Sequence, residues 1–466
     1  VFRDFESYYA AGATWRYHGD PYGRDVWRTE RTIPAVDASR DELLPFVGPP
    51  FGLPVWDALA RLPWPRATIV WGTVVSLSLA TIVLGSLRLA RVRADGFDVA
   101  SVLIVAAGFG PLTSGVALGQ VAVVSCAAIV LVPLLLGPRR TFAAALAVLA
   151  AALQPNLAIV LAARLTGTRM WIATLFAATV AIGGSAIALD QVGGLAHYFE
   201  ILRAHAAAER FLAIQTAPAA VARALGASAS LAAIAGIACA IGAIAGVAVQ
   251  CASRRYAPDD RMLLACAAAP FAFPFAHEHD FTIALLPALV TIRRASGLTW
   301  AIAAVGLLLV GTDWLGLAQR PSGALETATL TLGAALALVV LARGALRPYH
   351  AVPIVVAFAV LAIAPFAAAH PLPTWPDALG PDFHERFDAP AAAVWHDEQT
   401  RSGIGALVPL WGALRLASLG GCLLVWIAAS VALLEIRERA KPPRSARAST
   451  RHPRPAAAYP SARRTW

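Results

Sequence analysis

Forty consecutive residues, 99–138, contain no Asp, Glu, Lys or Arg. Comparable uncharged stretches recur at 67–87, 141–163, 170–189, 224–253, 295–312 and 416–434. About 20 apolar residues, rising 1.5 Å each, cross the ~30 Å hydrocarbon layer of a bilayer. The pattern therefore predicts an all-α, polytopic integral membrane protein. Composition agrees: 58% of the 466 residues are hydrophobic and 14% charged, against about 25% charged in soluble domains. A cytosolic enzyme, a disordered chain and a coiled coil are excluded.

The net charge of +10 is concentrated at one end: Arg437 to Trp466 holds nine basic residues and only one acid, Glu438. This Pro-, Ala-, Ser- and Arg-rich segment cannot bury a core, so 437–466 is predicted to be a disordered cytoplasmic tail. Contact with anionic lipid is its expected interaction, and no nucleic-acid partner is expected. The five cysteines all fall in apolar stretches, without disulfide or zinc spacing.

Residues 1–66 carry loop punctuation, including Gly19-Asp20-Pro21-Tyr22 and Gly48-Pro49-Pro50-Phe51. They are predicted to lie outside, with Trp56, Trp64 and Trp71 forming an interfacial belt. The bundle, 67–436, is predicted to make about 11 crossings, at 67–89, 97–111, 116–137, 170–190, 229–251, 260–275, 281–293, 297–317, 323–343, 348–369 and 410–436. Inner loops then collect Arg88/Arg91/Arg93, Arg139/Arg140, Arg254/Arg255, Arg293/Arg294 and Arg343/Arg347, the positive-inside pattern. The scheme requires 141–165 to enter and leave on one side as a re-entrant hairpin broken at Gln154-Pro155; a single kinked crossing is the competing reading. Outer elements are then 1–66, the turn 112–115, loop 191–228, the break 276–280 and loop 370–409.

Four constellations offer chemistry on that side. The first is Asp4-Phe5-Glu6-Ser7-Tyr8-Tyr9 with Asp20 and Tyr22. Aromatic faces beside a carboxylate suit a sugar whose hydroxyl must lose a proton; a helix N-cap at Asp4 is the plainer alternative. The second is His277-Glu278-His279-Asp280, which interrupts an apolar run of two short halves. Ionisable residues at such depth line polar cavities or pathways, and the imidazoles suit a phosphate or a sugar hydroxyl; a loop wetted at the interface is the alternative. No third ligand accompanies the His-x-His pair, so neither a metal nor any other resident cofactor is expected. The third is Gly119-Gln120, an amide entering an uncharged helix. The fourth is a set of outer arginines: Arg203, Arg210, Arg223, Arg320, Arg386, Arg401 and Arg415. Guanidinium forks onto phosphate oxygens, but most of these are expected to be solvated or paired with neighbours such as Glu209 and Glu385. Walker, Rossmann, nucleophile-elbow and HExxH motifs are absent.

In order and spacing, these features resemble the polyprenol-phosphate-mannose-dependent mannosyltransferases of glycosyltransferase family 87, of the GT-C architecture. The resemblance is carried by Asp4/Tyr8/Tyr9/Ala11 with Gly19 to Tyr22, Phe46 to Pro50, Gly119-Gln120, Ala152 to Pro155 and His277 to Asp280, over about residues 4–290. Gly48, Ala122 and Gln154 stand where that family commonly has Tyr, Asn and Lys. The resemblance implies a further membrane helix before Val1 and an active site on the outer face of the cytoplasmic membrane. It also implies transfer of mannose, with inversion, from a polyprenyl-phosphate-mannose donor to a glycolipid or lipoglycan hydroxyl of the cell envelope; the lipid-linked sugar is a co-substrate. On this reading Asp4 is the candidate base, with His277 or His279 assisting; Tyr8, Tyr9, Asp20, Tyr22, Gln120, Gln154 and Asp280 are candidate substrate contacts, joined by Arg203 and Arg210 from the outer arginines. A transporter or lipid-sugar flippase is the alternative, since broken helices with buried polar residues also build transporters.

Overall fold

The structure is a computed structural model that describes residues 2–34, 44–190, 193–253, 255–312, 324–342, 346–370, 391–401, 403 and 405–439. The basic tail beyond Arg439, most of loop 370–409, and Arg320 and Arg386 lie outside the described residues.

The chain opens with α1 (Arg3–Arg16), α2 (Asp25–Glu30) and α3 (Leu53–Ala60). Gly12 lets α1 and α3 approach backbone to backbone: a Cβ there would stand 2.2 Å from the Trp56 carbonyl carbon. Next comes α4 (Trp64–Leu89), begun by a proline in its first turn, where a missing N–H costs nothing. Trp56, Trp64 and Trp71 do not form an interfacial belt. All three are buried, and they pack with Phe5, Tyr8 and Tyr9 in an aromatic cluster that seats α1 on α4. Burying large apolar area under a short helix outweighs the advantage of an interfacial position.

Three helices, rather than two crossings and a turn, fill 96–135. α5 (Gly96–Ala107) begins at a reciprocal Asp95/Asp98 cap and meets α6 (Gly110–Leu118) at a 75° bend. α6 occupies the expected outer turn 112–115; the real turn is Gly119-Gln120. Gly119 has φ +72°, a value costly for any other residue, and its carbonyl accepts from Trp71 Nε1 at 2.7 Å. α7 (Val121–Leu135) starts there and runs away from it.

α8 (Thr141–Ala151) packs back along α7, the chain breaks at 152–154, and α9 (Pro155–Ala158) continues as a 3-10 segment to Arg164. Gln154, at the tip, meets Asp280. Arg164, at the base, pairs with Asp259 at 2.8 Å, as does Arg91 at 3.0 Å. The segment thus leaves and returns to the arginine-bearing end of the bundle, the geometry of a hairpin rather than of one kinked crossing. Arg294–Asp260 (2.9 Å) and Arg293–Asp98 (2.8 Å) close the same end.

The remaining helices are α10 (Thr168–Leu189), α11 (Gly194–Glu209), α12 (Pro218–Ala224), α13 (Ala229–Ala252), α14 (Pro258–Ala272), α15 (Thr282–Arg294), α16 (Gly297–Gly311), α17 (Ala324–Leu341), α18 (Val352–Ala368), α19 (Ala391–Arg401) and α20 (Pro409–Arg439). No strand occurs among the described residues. Five stretches there are long and apolar enough to cross a bilayer: 64–89, 168–189, 229–252, 348–368 and 409–434; the bent α5–α6 pair would make six. The other expected crossings are shorter helices, including α7, α14, α15 and α16. Such a bundle is consistent with a polytopic membrane protein. The short halves α14 and α15 matter most for chemistry, because their break places 276–281 inside the protein.

Candidate active site

A cavity of about 830 Å3 opens where α1, the Gly119-Gln120 turn, the tip of the α8–α9 hairpin, α11 and the α14–α15 break converge. Its wall includes Asp4, Tyr8, Gln120, Gln154, His277, His279 and Asp280, with the exposed Arg203 also on its lining. Residues from five separate parts of the sequence therefore share one pocket.

Asp4 sits in the first turn of α1 but does not cap it. Phe2 holds the N-cap position and no side chain accepts there. The Asp4 carboxylate turns instead to Gln120, whose Nε2 donates to it while its Oε1 accepts the Tyr8 hydroxyl at 3.0 Å. Gln120 can bridge two helices because the left-handed Gly119 ends α6 one residue earlier. Burial raises the Asp4 carboxyl to about 6, against the pull of Arg3, Gln120 and His277. Burial raises Tyr8 as well, so it stays a neutral donor.

At the break, a 3-10 turn over Glu278–Phe281 is closed by Asp280, whose carboxylate accepts from the His277 backbone N–H at 3.2 Å. Gln154 Nε2 donates to the other oxygen at 3.2 Å. Burial carries Asp280 up to about 6, opposed first by His277. Glu278 points away and accepts the Ser114 hydroxyl at 2.8 Å, anchoring the turn to α6. The His277 and His279 rings stack 5.4 Å apart, 8° from parallel. They lie on one side because the segment is a tight turn, not an α-helix. No three His, Cys, Asp or Glu among the described residues converge in a way that would hold a metal.

The two imidazoles differ in charge. Burial pushes His277 down, but the Glu209 carboxylate, 2.9 Å from Nε2, overrides it and lifts the ring to about 9. Burial and the His277 charge together hold His279 well below the ordinary value. Glu209, the last residue of α11, is opposed by its burial yet is held near 2, chiefly by His277 and then by His205.

Several expected substrate contacts lie outside this pocket. Tyr9 donates to the Leu62 carbonyl at 2.9 Å and braces α1 against the start of α4. Tyr22 is buried between Phe46 and Tyr198 and donates to the Gly48 carbonyl. Asp20 holds the Tyr22 N–H and, at 2.9 Å, His197, tying the α1–α2 loop to α11. These three frame the site without lining it. Arg210 lies over the Phe211 ring and lines a separate, smaller apolar cavity. Glu209, expected to be an arginine's partner, is turned inward instead. Arg223 ends α12 by donating to Ala227, and Arg415 reaches the Gln215 carbonyl.

Residues 46–274 match the model of glycosyltransferase family 87. That match supports a glycosyltransferase. It is narrower than the resemblance over 4–290, covering Gln120, Gln154 and Glu209 while leaving Asp4 well before its start and His277–Asp280 just beyond its end. No curated protein and no solved structure matches the chain.

Sequence reasoning missed Glu209, His205, Arg3 and Gln215 as parts of the site. Glu209 follows three alanines and precedes Arg210, a context that reads as a solvated pair. Only the return of 212–216 onto the break buries it: the Thr216 N–H and hydroxyl both donate to the Ala276 carbonyl, at 2.7 and 2.9 Å.

Proposed function

We propose that the chain is a glycosyltransferase that moves a mannosyl residue from a polyprenyl-phosphate donor to a hydroxyl of a glycolipid or lipoglycan, with inversion, on the outer face of the cytoplasmic membrane. The observation that carries this reading is the half-buried Asp4 carboxylate, clamped by Gln120 in a cavity that also places the His277 imidazole against the Glu209 carboxylate.

A carboxyl near 6 is mostly ionised at neutral pH yet basic enough to take a proton, the compromise general-base catalysis favours. In the proposed step the acceptor hydroxyl gives its proton to Asp4 as its oxygen bonds to the anomeric carbon. The bond from that carbon to the phosphate oxygen breaks on the opposite face, and polyprenyl phosphate leaves with the electron pair. The developing phosphate charge is met by His277, with Arg203 available on the lining. Tyr8 and Gln120 hold Asp4 in place, and Trp56, Tyr198 and Trp395 give the cavity apolar surfaces of the kind that pack on sugar faces. The prenyl tail would lie among the apolar helices.

The test is Asp4→Asn in membranes supplied with polyprenyl-phosphate mannose carrying a radiolabelled sugar. General-base catalysis is worth roughly 10²–10⁴-fold, so transfer should fall by at least about a hundredfold with the protein still folded. A folded variant with undiminished transfer removes Asp4 from the chemistry.

A further inference from the structure

Glu209 touches the cavity wall, but its two oxygens face imidazoles: Oε2 lies 2.9 Å from His277 Nε2 and Oε1 lies 4.0 Å from His205 Nε2. Its side chain is 2% exposed. A carboxylate buried this deeply is retained only where its charge is matched and its lone pairs are filled. Gln215 completes the arrangement. Its Nε2 donates to Glu209, and its Oε1 accepts the Ala276 N–H at 2.7 Å, one residue before His277. One side chain thus fixes both the carboxylate and the backbone that carries the imidazole. His277 Nδ1 has no hydrogen-bond partner among the described residues.

We propose that Glu209 is a positioning residue of the transfer reaction, clamping the His277 ring at the cavity wall in its cationic form so that positive charge faces the departing phosphate. This rests on the glycosyltransferase reading above and adds to it a residue that the catalytic assignment did not contain. The charge balance around His277 favours the cation. Glu209 faces it from α11 and Asp280 from its own turn, with the Glu278 and Asp4 carboxylates also nearby. Against these stand the imidazoles of His205 and His279, both shifted down by burial, and the Arg3 and Arg203 guanidiniums on the same cavity wall. Glu209 makes the direct contact, so its carboxylate is the lever.

The experiment is the pH dependence of mannose transfer by wild type, Glu209→Gln and Glu209→Asp, each in the full chain. In wild type the imidazolium persists to about pH 9. Without the carboxylate, burial dominates and His277 loses its proton at or below the ordinary imidazole value of about 6.5. The ratio of Glu209→Gln to wild-type rate should therefore drop by about twentyfold between pH 6 and pH 8. Glu209→Asp, which keeps the charge, should hold its alkaline limb within about one pH unit of wild type. A ratio that is low but constant across pH would mean that Glu209 merely supports the fold, and would overturn the proposal. A second measurement needs neither substrate nor variant activity: ¹⁵N-histidine NMR of the purified protein in detergent, with His277→Gln identifying the signal. A His277 signal that remains that of an imidazolium through pH 8 supports the clamp; deprotonation near pH 6.5 overturns it. If wild type transfers no sugar at any pH, the functional reading fails, and the NMR titration still decides whether Glu209 holds the charge.

Discussion

The amide of Gln120 donates to the carboxylate of Asp4, 116 residues away in the chain, while the same side chain accepts the Tyr8 hydroxyl. One residue at the start of α7 thus sets both the position and the basicity of the carboxylate on α1. A hydrogen bond to a charged group is worth roughly 1.5–3 kcal/mol, and this one favours the ionised form. Gln120→Leu is expected to lower kcat/KM about tenfold to a hundredfold. It should also move the acid limb of the pH–rate profile upward, because Asp4 loses a donor to its charged state. A profile displaced in rate but not in pH would show that Gln120 only packs.

Asp4 and Asp280 are both held near 6, well above an ordinary carboxyl, and in each case burial is the main cause. The sign of the stability effect follows from linkage. A folded-state value raised above the unfolded one means that the folded chain binds more protons between the two. The contribution is fully present below about pH 4 and is lost as pH rises through about 6, at up to about 3 kcal/mol for each group. Asp4→Asn should therefore raise thermal stability at pH 7.5 while changing it little at pH 4, even as it removes transfer. Melting curves at the two pH values check this. Equal shifts at both would mean that Asp4 carries no burial penalty.

Much of this site was legible because Gln120, Gln154 and His277–Asp280 interrupt an apolar background, while Asp4 stands out as a carboxylate among aromatic residues. All of these but Glu278 line the cavity. Tyr9, Tyr22 and Asp20 belong to the same motifs yet frame the pocket, because neighbours on a short helix or turn point in different directions. Glu209 was illegible for the opposite reason: in a polar loop a glutamate is unremarked until tertiary contacts bury it. The tryptophans misled in the same way. Trp56, Trp64 and Trp71 have the spacing of an interfacial belt, but α1 folds onto them. For 141–165 the flanking arginines and the break at Gln154-Pro155 offered a hairpin beside a single kinked crossing, and Arg164 lies with Arg91 on Asp259.

At the opposite end of the bundle, Arg293 and Asp98 form a bidentate pair with side chains 2% and 5% exposed. Asp98 also completes the cap of α5 by accepting from the Asp95 N–H. Removing one member of a buried pair strands the other and costs about 3–5 kcal/mol. Asp98→Ala should lose that and about 1 kcal/mol of capping, visible as a fall in unfolding temperature or in folded yield from detergent. The double variant Asp98→Ala/Arg293→Met should recover part of the loss, since no uncompensated charge remains. Additive losses in the double variant would show that the pair is not coupled.

Gly12 carries the most specific steric prediction. A Cβ there would fall 2.2 Å from the Trp56 carbonyl carbon and 2.5 Å from the Asp57 nitrogen, both backbone atoms that no rotamer change can move aside. Gly12→Ala must therefore push α1 off α3. Overpacking of this kind costs about 1–3 kcal/mol, but the larger effect should be catalytic. Asp4 lies about two turns back along the same helix, ~12 Å at 1.5 Å per residue, so a tilt at Gly12 displaces its carboxylate from Gln120. Misplacement by about 1 Å can cost a hundredfold in rate. Transfer should consequently fall much further than stability, whereas Ala11→Gly, which removes a methyl at a buried neighbouring position of α1 without forcing the helices apart, should lose stability with little extra loss of rate. Parallel assays of transfer and thermal unfolding separate the two. If Gly12→Ala lowers both in proportion, α1 is a structural brace and its register does not set the position of Asp4.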